Sequence, residues 1–437
     1  MAHTQDTDVV IVGGGISGAA LAYLLARYTD IPRITLLEKY AGIATLNSHG
    51  RNNSQTLHCG DIETNYTLEK ALQVQQGAAL VARYALQHPA RDELIFKYPK
   101  MVLGVGEKES ALMRERFRSF SPHYPTMRLF EATDIARIEP EVTRGRKEEI
   151  VALGVTDDYS TVNFQRLAIA FIEDAQASKR VTVEMSAKVQ AITPENNGFR
   201  VHTATGDLRA RFVVVSAGGH SLLFAQQMGY GLQYACLPVA GSFYYTPTVL
   251  NGKVYTVQNE KLPFAAIHGD PDVLMPGKTR FGPTALILPM LERYHYNTIP
   301  DFLRVFSLDA PVMKVMYDLF KERDVRRYMA KNVLFEIPGI RRMLFLQDAR
   351  KIIPQMQLKD LKFAHGIGGV RPVMIDKINR KLHMGEAKIA PGNGIIFNMT
   401  PSPGATSCLQ NAARDMHSVV QHLGARFDEA AYKKTLG

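Results

Sequence analysis

Cysteine is scarce. The chain of 437 residues carries 3, at Cys59, Cys236 and Cys408. They lie far apart and none belongs to a C-x-x-C pair. That spacing argues against a disulfide framework or a cysteine zinc site and favours a reducing compartment. Long apolar runs are also missing. No stretch approaches the ~18 apolar residues that a spanning helix needs. The N-terminal apolar run has no basic region before it and is broken by glycines, so a first strand is expected there rather than a signal peptide. Acid is not in excess: the formal net charge is +10. This excludes an acidic disordered chain and suggests anionic partners, such as acidic metabolites, a membrane surface or nucleic acid. Basic–aromatic interleaving and recognisable binding modules are absent, which argues against nucleic acid. Internal repeats and low-complexity tails are absent too. With 46% hydrophobic residues, the length suits two domains.

The most informative stretch runs from Asp8 to Glu38. Val9 to Val12 is a short β-branched run, as in a buried parallel strand. Gly13, Gly15 and Gly18 then fit G-x-G-x-x-G. Gly13 permits the tight turn, Gly15 lets backbone approach a pyrophosphate, and Gly18 lets the next helix lie close to the strand. The pattern predicts that helix over Ser17 to Tyr28, its N-terminus turned to phosphate. A second strand, Ile34 to Leu37, ends in Glu38, placed to take a ribose hydroxyl pair. Strand, glycines, helix, strand and acid in order predict dinucleotide binding.

After Glu38 comes a polar loop through N-S-H-G-R-N-N-S-Q-T-L-H-C-G-D-I-E-T-N-Y-T. An ordered loop this long usually serves a site. Helices are expected at Leu68 to Gln87, Lys108 to Phe120 and Asn163 to Ser178, with a strand at Lys100 to Gly106. The chain is expected to turn at Tyr159 to Val162. Val213 to Val215, running into Ala217-Gly218-Gly219, is the natural next strand beside the first βαβ unit. Gln233 to Tyr255 alternates like half-buried strands. Asp301 to Met329 reads as mostly helical. A C-terminal strand, Pro/Gly turn and helix start close the pattern. The expected fold is α/β: a Rossmann-like cofactor domain, with a parallel sheet and flanking helices, plus an inserted α+β substrate domain with a mostly antiparallel sheet. Residues 1–91, 155–232 and 355–437 are assigned to the first, and 92–154 and 233–354 to the second. A C-terminal return to the cofactor suits a flavin, whose ring system extends far from the adenine and must be walled in from a second side.

Several blocks then resemble a known group. The fingerprint, the S-A-G-G strand end, the G-V-R-P segment and the C-terminal turn are similar to FAD-dependent amino-acid and hydroxy-acid oxidoreductases. N-N-S-Q-T-L-H-C-G-D-I-E-T-N-Y-T-L-E-K-A, L-P-V-A-G-S-F-Y, K-L-P-F-A-A-I-H-G-D-P-D, R-F-G-P-T-A and F-N-M-T-P-S-P-G-A-T-S-C-L-Q-N-A resemble the shorter type of malate:quinone oxidoreductase. The resemblance implies noncovalent FAD, (S)-malate as substrate, oxaloacetate as product and membrane quinone as acceptor. It also implies a cytoplasmic protein, peripheral on the inner face of the cell membrane. The L-2-hydroxyglutarate dehydrogenases share N-S-x-x-x-H and P-S-P-x-x-T-S, so another small acid stays open as substrate, as does a non-catalytic protein on this fold. On the matching segments the expected FAD contacts are Gly13, Gly15, Ser17 and Gly18; Glu38 and Lys39; Asn53, Ser54 and Gln55; Val189; Ala217 and Gly218; Gly369 and Arg371; and Pro403, Gly404, Ala405 and Thr406.

Arg371 is the first choice for the substrate carboxylate, since a planar guanidinium can hold it through two parallel bonds. Family members use the arginine of G-x-R-P in this way. Arg280 is expected either to hold a second carboxylate or to form a structural ion pair. Oxidising an alcohol needs a base, and histidine suits the task. His58, His268 and His365 are the candidates, and the sequence does not rank them. Cys59 reads as a packed thiol. The basic cluster at Lys321, Arg323, Arg326, Arg327, Lys331, Arg341 and Arg342 follows Met313, Met316, Leu319 and Phe320. It reads either as a solvated helix face or as a surface that meets an anionic bilayer.

Overall fold

The computed structural model describes residues 5–258, 266–383, 385–401 and 403–437. Ser402 and Lys261 to Ala265, within two of the motif blocks, lie outside the described residues. Strand β1 (Gln5–Val12), helix α1 (Ile16–Tyr28) and strand β2 (Ile34–Leu37) form the expected βαβ unit. β1 pairs in parallel with β2 and with the strand Asp207–Val215, which pairs in parallel with Ile395–Met399. Val181–Glu184 adds a parallel strand beyond β2. The side chains of these strands alternate between two apolar layers. Val9, Ile11, Leu36 and Val214 pack under α1 and the helices Phe164–Gln176 and Cys408–Leu423. Val10, Val12, Val213 and Phe397 pack beneath an antiparallel hairpin, Val189–Glu195 with Gly198–Thr203.

Helix Leu68–Gln87 has the expected bounds, because the Thr67 hydroxyl caps its first turn by accepting from Lys70 N at 3.2 Å. Tyr159–Val162, expected as a turn, is a strand paired with Ile95–Lys97. The helical region from 299 to 334 is three helices, Ile299–Phe306, Ala310–Lys321 and Arg323–Leu334, followed by Arg341–Ala349. Asp309 caps the second of these and a proline follows it, so the chain restarts there.

A second, mostly antiparallel sheet contains Lys100–Val105, Tyr244–Pro247, Lys253–Thr256, His268–Pro271 and Lys278–Gly282. Residues 362–376 were assigned by the sequence to the cofactor domain. They hydrogen-bond instead to strands of the inserted pieces. Lys362–Phe363 joins Tyr244–Pro247, and Val370–Asp376 runs antiparallel to Tyr234–Ala240, whose edge is free to receive it.

The two faces of the second sheet differ in chemistry. Met101, Val254, Phe281 and Tyr244 point into an apolar core with Phe335 and Phe345. The period of two puts Lys100, Lys253, Tyr255, His268, Asp270 and Arg280 on the other face. That face is pressed onto the polar loop after β2. Lys253 Nζ donates to Ser54 O and Thr56 Oγ1, each at 3.2 Å. Lys100 Nζ lies 2.9 Å from Asp61 Oδ2, and Gln55 Nε2 donates to Asp272 Oδ1 at 3.0 Å. The loop is thus clamped between two sheets.

The β1–α1 contact gives a test of the fold. A Cβ on Gly18 would stand 2.0 Å from Gly13 O and 3.3 Å from Ile11 Cγ2. A backbone carbonyl cannot rotate away, so helix and strand must separate. Gly18→Ala is expected to lower stability by about 1–3 kcal/mol, the usual range for overpacking. Urea denaturation checks this; an unchanged midpoint and slope would show that α1 does not rest on Gly18.

Candidate active site

One large cavity runs along the C-terminal ends of the parallel strands, where α/β folds place their ligands. Val12, Gly13, Gly15, Ile16 and Ser17 form its floor. Gly13 needs its glycine, with φ at +108° and a Cβ position 2.5 Å from Ser216 O. Gly15 differs: a Cβ there meets only Ser48 Oγ at 3.4 Å. Its missing side chain leaves space belonging to the cavity, as a cradle for backbone-bound phosphate requires. Ser48 Oγ accepts from Ile16 N at 3.0 Å and ties the polar loop to the start of α1.

Glu38 lines the cavity beside Lys39 and Tyr40. Its carboxylate accepts from Gly14 N at 2.7 Å and Tyr40 N at 2.8 Å. Burial raises its pKa, and those two bonds oppose the rise. A carboxylate has about four lone-pair sites, so two remain for hydroxyl donors. Nearby, Glu292 is paired with Lys39 and accepts from Tyr40 OH at 2.5 Å, and His220 stands 3.6 Å from it. The sequence reading missed Tyr40, His220 and Glu292, which come together only in the fold.

Asn53, Ser54, Val189, Ala217, Gly218, Gly369, Pro403, Gly404, Ala405 and Thr406 also line the cavity. Asn47 Oδ1 accepts from Val370 N and Asn52 Oδ1 from Gly368 N, each at 2.9 Å. These bonds fix the G-I-G-G-V-R-P segment against the polar loop. Thr406 Oγ1 accepts from His58 N at 3.1 Å and ties the C-terminal turn to the same loop. Two expected cofactor contacts lie elsewhere. Gly18 faces Gly13 under the helix, and Gln55 is fully buried between Gly50 O and Asp272.

The three histidines separate clearly. His58 lines the cavity. Its Nδ1 lies 2.6 Å from Glu63 Oε1, and the carboxylate is 9% exposed. His268 is only 2% exposed, stacks on Tyr255 with centroids 4.2 Å apart, and directs Nε2 to Asp270 Oδ2 at 3.2 Å. His365 is exposed, with Nε2 3.4 Å from Arg341 Nη2. Neither belongs to the cavity wall: strand alternation turns His268 into the sheet–loop contact, and His365 stands before the turn that brings Arg371 inward. Arg280 is also outside the wall. Its guanidinium is fully buried, 3.6 Å from Asp272 Oδ2 and stacked 4.7 Å above the Phe243 ring, which does line the cavity. Cys59 is the expected inert thiol, its pKa pushed up by burial to about 12.

Arg371 lines the cavity and has no carboxylate partner among the described residues. Burial holds its guanidinium below its ordinary value, and Tyr328, Tyr66 and Tyr255 act on it in the opposite sense. An enclosed cation without an anion is costly, and an anionic ligand supplies what is missing.

A dinucleotide-binding sheet and a glycine cradle, with a guanidinium unpaired among the described residues and a histidine–carboxylate pair lining the same cavity, define a nucleotide-dependent oxidoreductase. A family model described as FAD dependent oxidoreductase matches residues 8–410. A probable malate:quinone oxidoreductase of Campylobacter jejuni is 48% identical over 99% of both chains. A malate:quinone oxidoreductase of Helicobacter pylori is 45% identical over 99% of this chain and 98% of its own. The chain belongs to the FAD-dependent oxidoreductase family and, within it, to the malate:quinone oxidoreductases. Solved structures share the fold. An FAD-bound, reduced L-α-glycerophosphate oxidase from Mycoplasma pneumoniae gives a TM-score of 0.66 at 18% identity, covering 97% of this chain and 96% of that one. Glycine oxidase from Geobacillus kaustophilus gives 0.68 at 16% identity, covering 96% and 95%.

The cofactor is FAD, and the glycine cradle fits it. Gly15→Val is expected to fill that space without striking backbone. The purified variant should keep its fold by circular dichroism and lose most of its flavin absorbance. Full flavin content in a folded variant would place the pyrophosphate elsewhere.

Proposed function

We propose that this chain oxidises (S)-malate to oxaloacetate and passes the electrons to a membrane quinone. The observation that carries the reading is Arg371, a cation without an anionic partner among the described residues, which lines the same cavity as His58. Its guanidinium takes one substrate carboxylate in a fork that fixes rotation. The names of the Campylobacter and Helicobacter relatives support malate and quinone as the reacting pair. Bound FAD supplies the hydride acceptor. Pro403 to Thr406, with Gly369 and Ala217, then wall its ring system, and Gly13 to Ser17 hold its phosphates. Glu38 offers the ribose its remaining lone pairs. His58 takes the hydroxyl proton. Glu63 binds Nδ1, and an ionised carboxylate only accepts, so the ring proton sits on Nδ1 and Nε2 is left as the accepting nitrogen.

The acceptor side belongs to the helices beyond the second sheet. Among the described residues no helix is long and apolar enough to cross a membrane. Yet Leu308, Met313 and Tyr317 are 71%, 51% and 66% exposed. Arg323 and Arg327 are exposed on the following helix without ion-pair partners among the described residues. Apolar side chains beside unpaired cations suit a peripheral contact with anionic lipid, as on the cytoplasmic face of a cell membrane.

Two measurements test this reading. Arg371→Ala removes one partner of a charge-assisted pair, which typically costs about 2–5 kcal/mol. The expected loss in kcat/KM for malate is roughly 30- to 4,000-fold. Arg371→Lys should recover only part, and flavin content should hold. A loss below about fivefold would move the carboxylate to another cation. For the membrane contact, Arg323→Gln with Arg327→Gln should weaken binding to anionic vesicles. At about 1 kcal/mol per basic residue, the change is roughly 30-fold at low salt. Reduction of a soluble dye should be unaffected. Unchanged vesicle binding would exclude this surface.

A further inference from the structure

Beyond Arg371 and His58, the cavity is backed by a buried charge cluster to which neither the family names nor the motifs give a role. It is built on the segment from His58 to Tyr66. The backbone reverses at Gly60, where φ is +83° and a Cβ would stand 2.4 Å from Ala71 O. That reversal returns Glu63 to His58. Arg116, from helix Glu107–Phe120, locks the reversal by donating to Glu63 O at 2.7 Å and Tyr66 O at 3.1 Å. Tyr124 OH donates to Cys59 O at 3.1 Å. Lys100, from the second sheet, is fully buried. It lies 2.9 Å from Asp61 Oδ2 and 3.3 Å from Asp158 Oδ2, and Asp158 is 39% exposed.

We propose that Glu63 is a positioning residue for the oxidation: it fixes the His58 tautomer and supplies the counter-charge for the imidazolium that forms as the substrate proton arrives. This rests on the reading of His58 as the base. The cluster's charge favours it. Asp61, Glu63 and Asp158 are three carboxylates, and Lys100 and Arg116 are two cations. Burial raises the Asp61 pKa and Lys100 opposes the rise; with all three acids ionised and His58 neutral, the cluster lacks one positive charge. The proton leaving the hydroxyl supplies that charge at Nε2, while the hydride leaves the same carbon for the flavin. Atoms and electrons balance: one O–H bond and one C–H bond break, a carbonyl forms, and His58 holds the proton until it passes to solvent. Glu63 stays ionised. Burial alone would raise its pKa, but the bond from His58 Nδ1 and Lys100 oppose burial, and the His58 charge adds to them once the proton arrives. The groups facing the dyad are Cys59, Asp61 and Tyr66 on its own loop, Lys100 and Tyr255 from the second sheet, and Arg116 and Tyr124 from the neighbouring helix and its following turn. None of them replaces Glu63 at Nδ1.

The test uses the flavin-loaded enzyme with malate, and malonate, which has no hydroxyl to oxidise, as a probe read by perturbation of the flavin spectrum. Glu63→Gln is nearly isosteric but carries no charge, and its amide can donate to Nδ1 and shift the ring proton to Nε2. The expected result is a kcat loss of about 100-fold or more, with KM for malate and malonate binding within about threefold of wild type. The acid limb of the kcat/KM profile should move to lower pH, because an imidazolium without its anion forms less readily. Glu63→Asp keeps the charge and should recover part of the rate and most of the limb position. A purely structural role would lower flavin content or malonate binding and leave the limb in place. Glu63→Gln within fivefold of wild-type kcat, with an unmoved limb, would overturn the proposal. An active His58→Gln would sink the underlying reading, and this inference with it.

Discussion

The structure depends on one costly contact: the charged face of the second sheet laid on the polar loop after β2. Lys100, Lys253, Asp270 and Arg280 are all fully or almost fully buried there. Taking such groups out of water costs several kcal/mol each, and apolar replacements of similar volume are often no less stable. Stability is therefore a weak reason for the arrangement. Direction is a better one. The two lysines hold the loop at named atoms: Lys253 at Ser54 O and Thr56 Oγ1, and Lys100 at Asp61. A greasy interface would keep the two layers together without fixing the loop's path between them. Hydrogen-bonded charges fix that path, and it sets where Asn47, Ser48, Asn52, His58 and Glu63 stand.

That constraint explains how three distant parts of the chain meet at one cavity. Ser48 reaches α1, Asn47 and Asn52 reach the segment before Arg371, and the amide of His58 reaches Thr406. The N-terminal βαβ unit, the returning strand at Val370–Asp376 and the C-terminal turn are all fastened to this one loop. The malate:quinone oxidoreductase relationship spans nearly the whole chain, as expected if the site cannot be assembled from the nucleotide-binding piece alone.

What the sequence made legible was local. The β-branched run of Val9 to Val12, the glycine spacing and the placement of Glu38 are each local patterns, and the fold reproduces them. Helix Leu68–Gln87 was readable from Leu, Val and Ala at 3- to 4-residue spacing, and Thr67 caps its start. The parallel neighbour at Val213 to Val215 was legible because an all-apolar strand must be covered on both faces. Non-local pairing was not. Nothing near residue 370 announces that Val370–Asp376 joins Tyr234–Ala240, so the boundary set at residue 355 cut through a paired region. The histidines failed to separate for the same reason. His365 lies six positions from Arg371 in sequence, yet the turn through Gly366 and Gly368, at φ +69° and +122°, carries the two apart.

Glu63 shows where the limit of a sequence reading lies. It is five residues from His58, close enough to notice, but a carboxylate at that spacing in an extended loop would point away. The reversal at Gly60 brings the two side chains together, and Arg116, Tyr124 and Lys100, from beyond residue 99, hold the reversal against a buried background. On the proposed reading the nucleotide-binding part contributes the base and its carboxylate, and the inserted part contributes Lys100 and Arg116, which hold that loop. An alcohol oxidation needs both at once, because the proton and the hydride leave the same carbon and its oxygen in different directions. Placing the flavin cradle on one sheet and the charge cluster behind the other is a physical way to keep those two departures apart. The loop between the sheets is the one element that touches both.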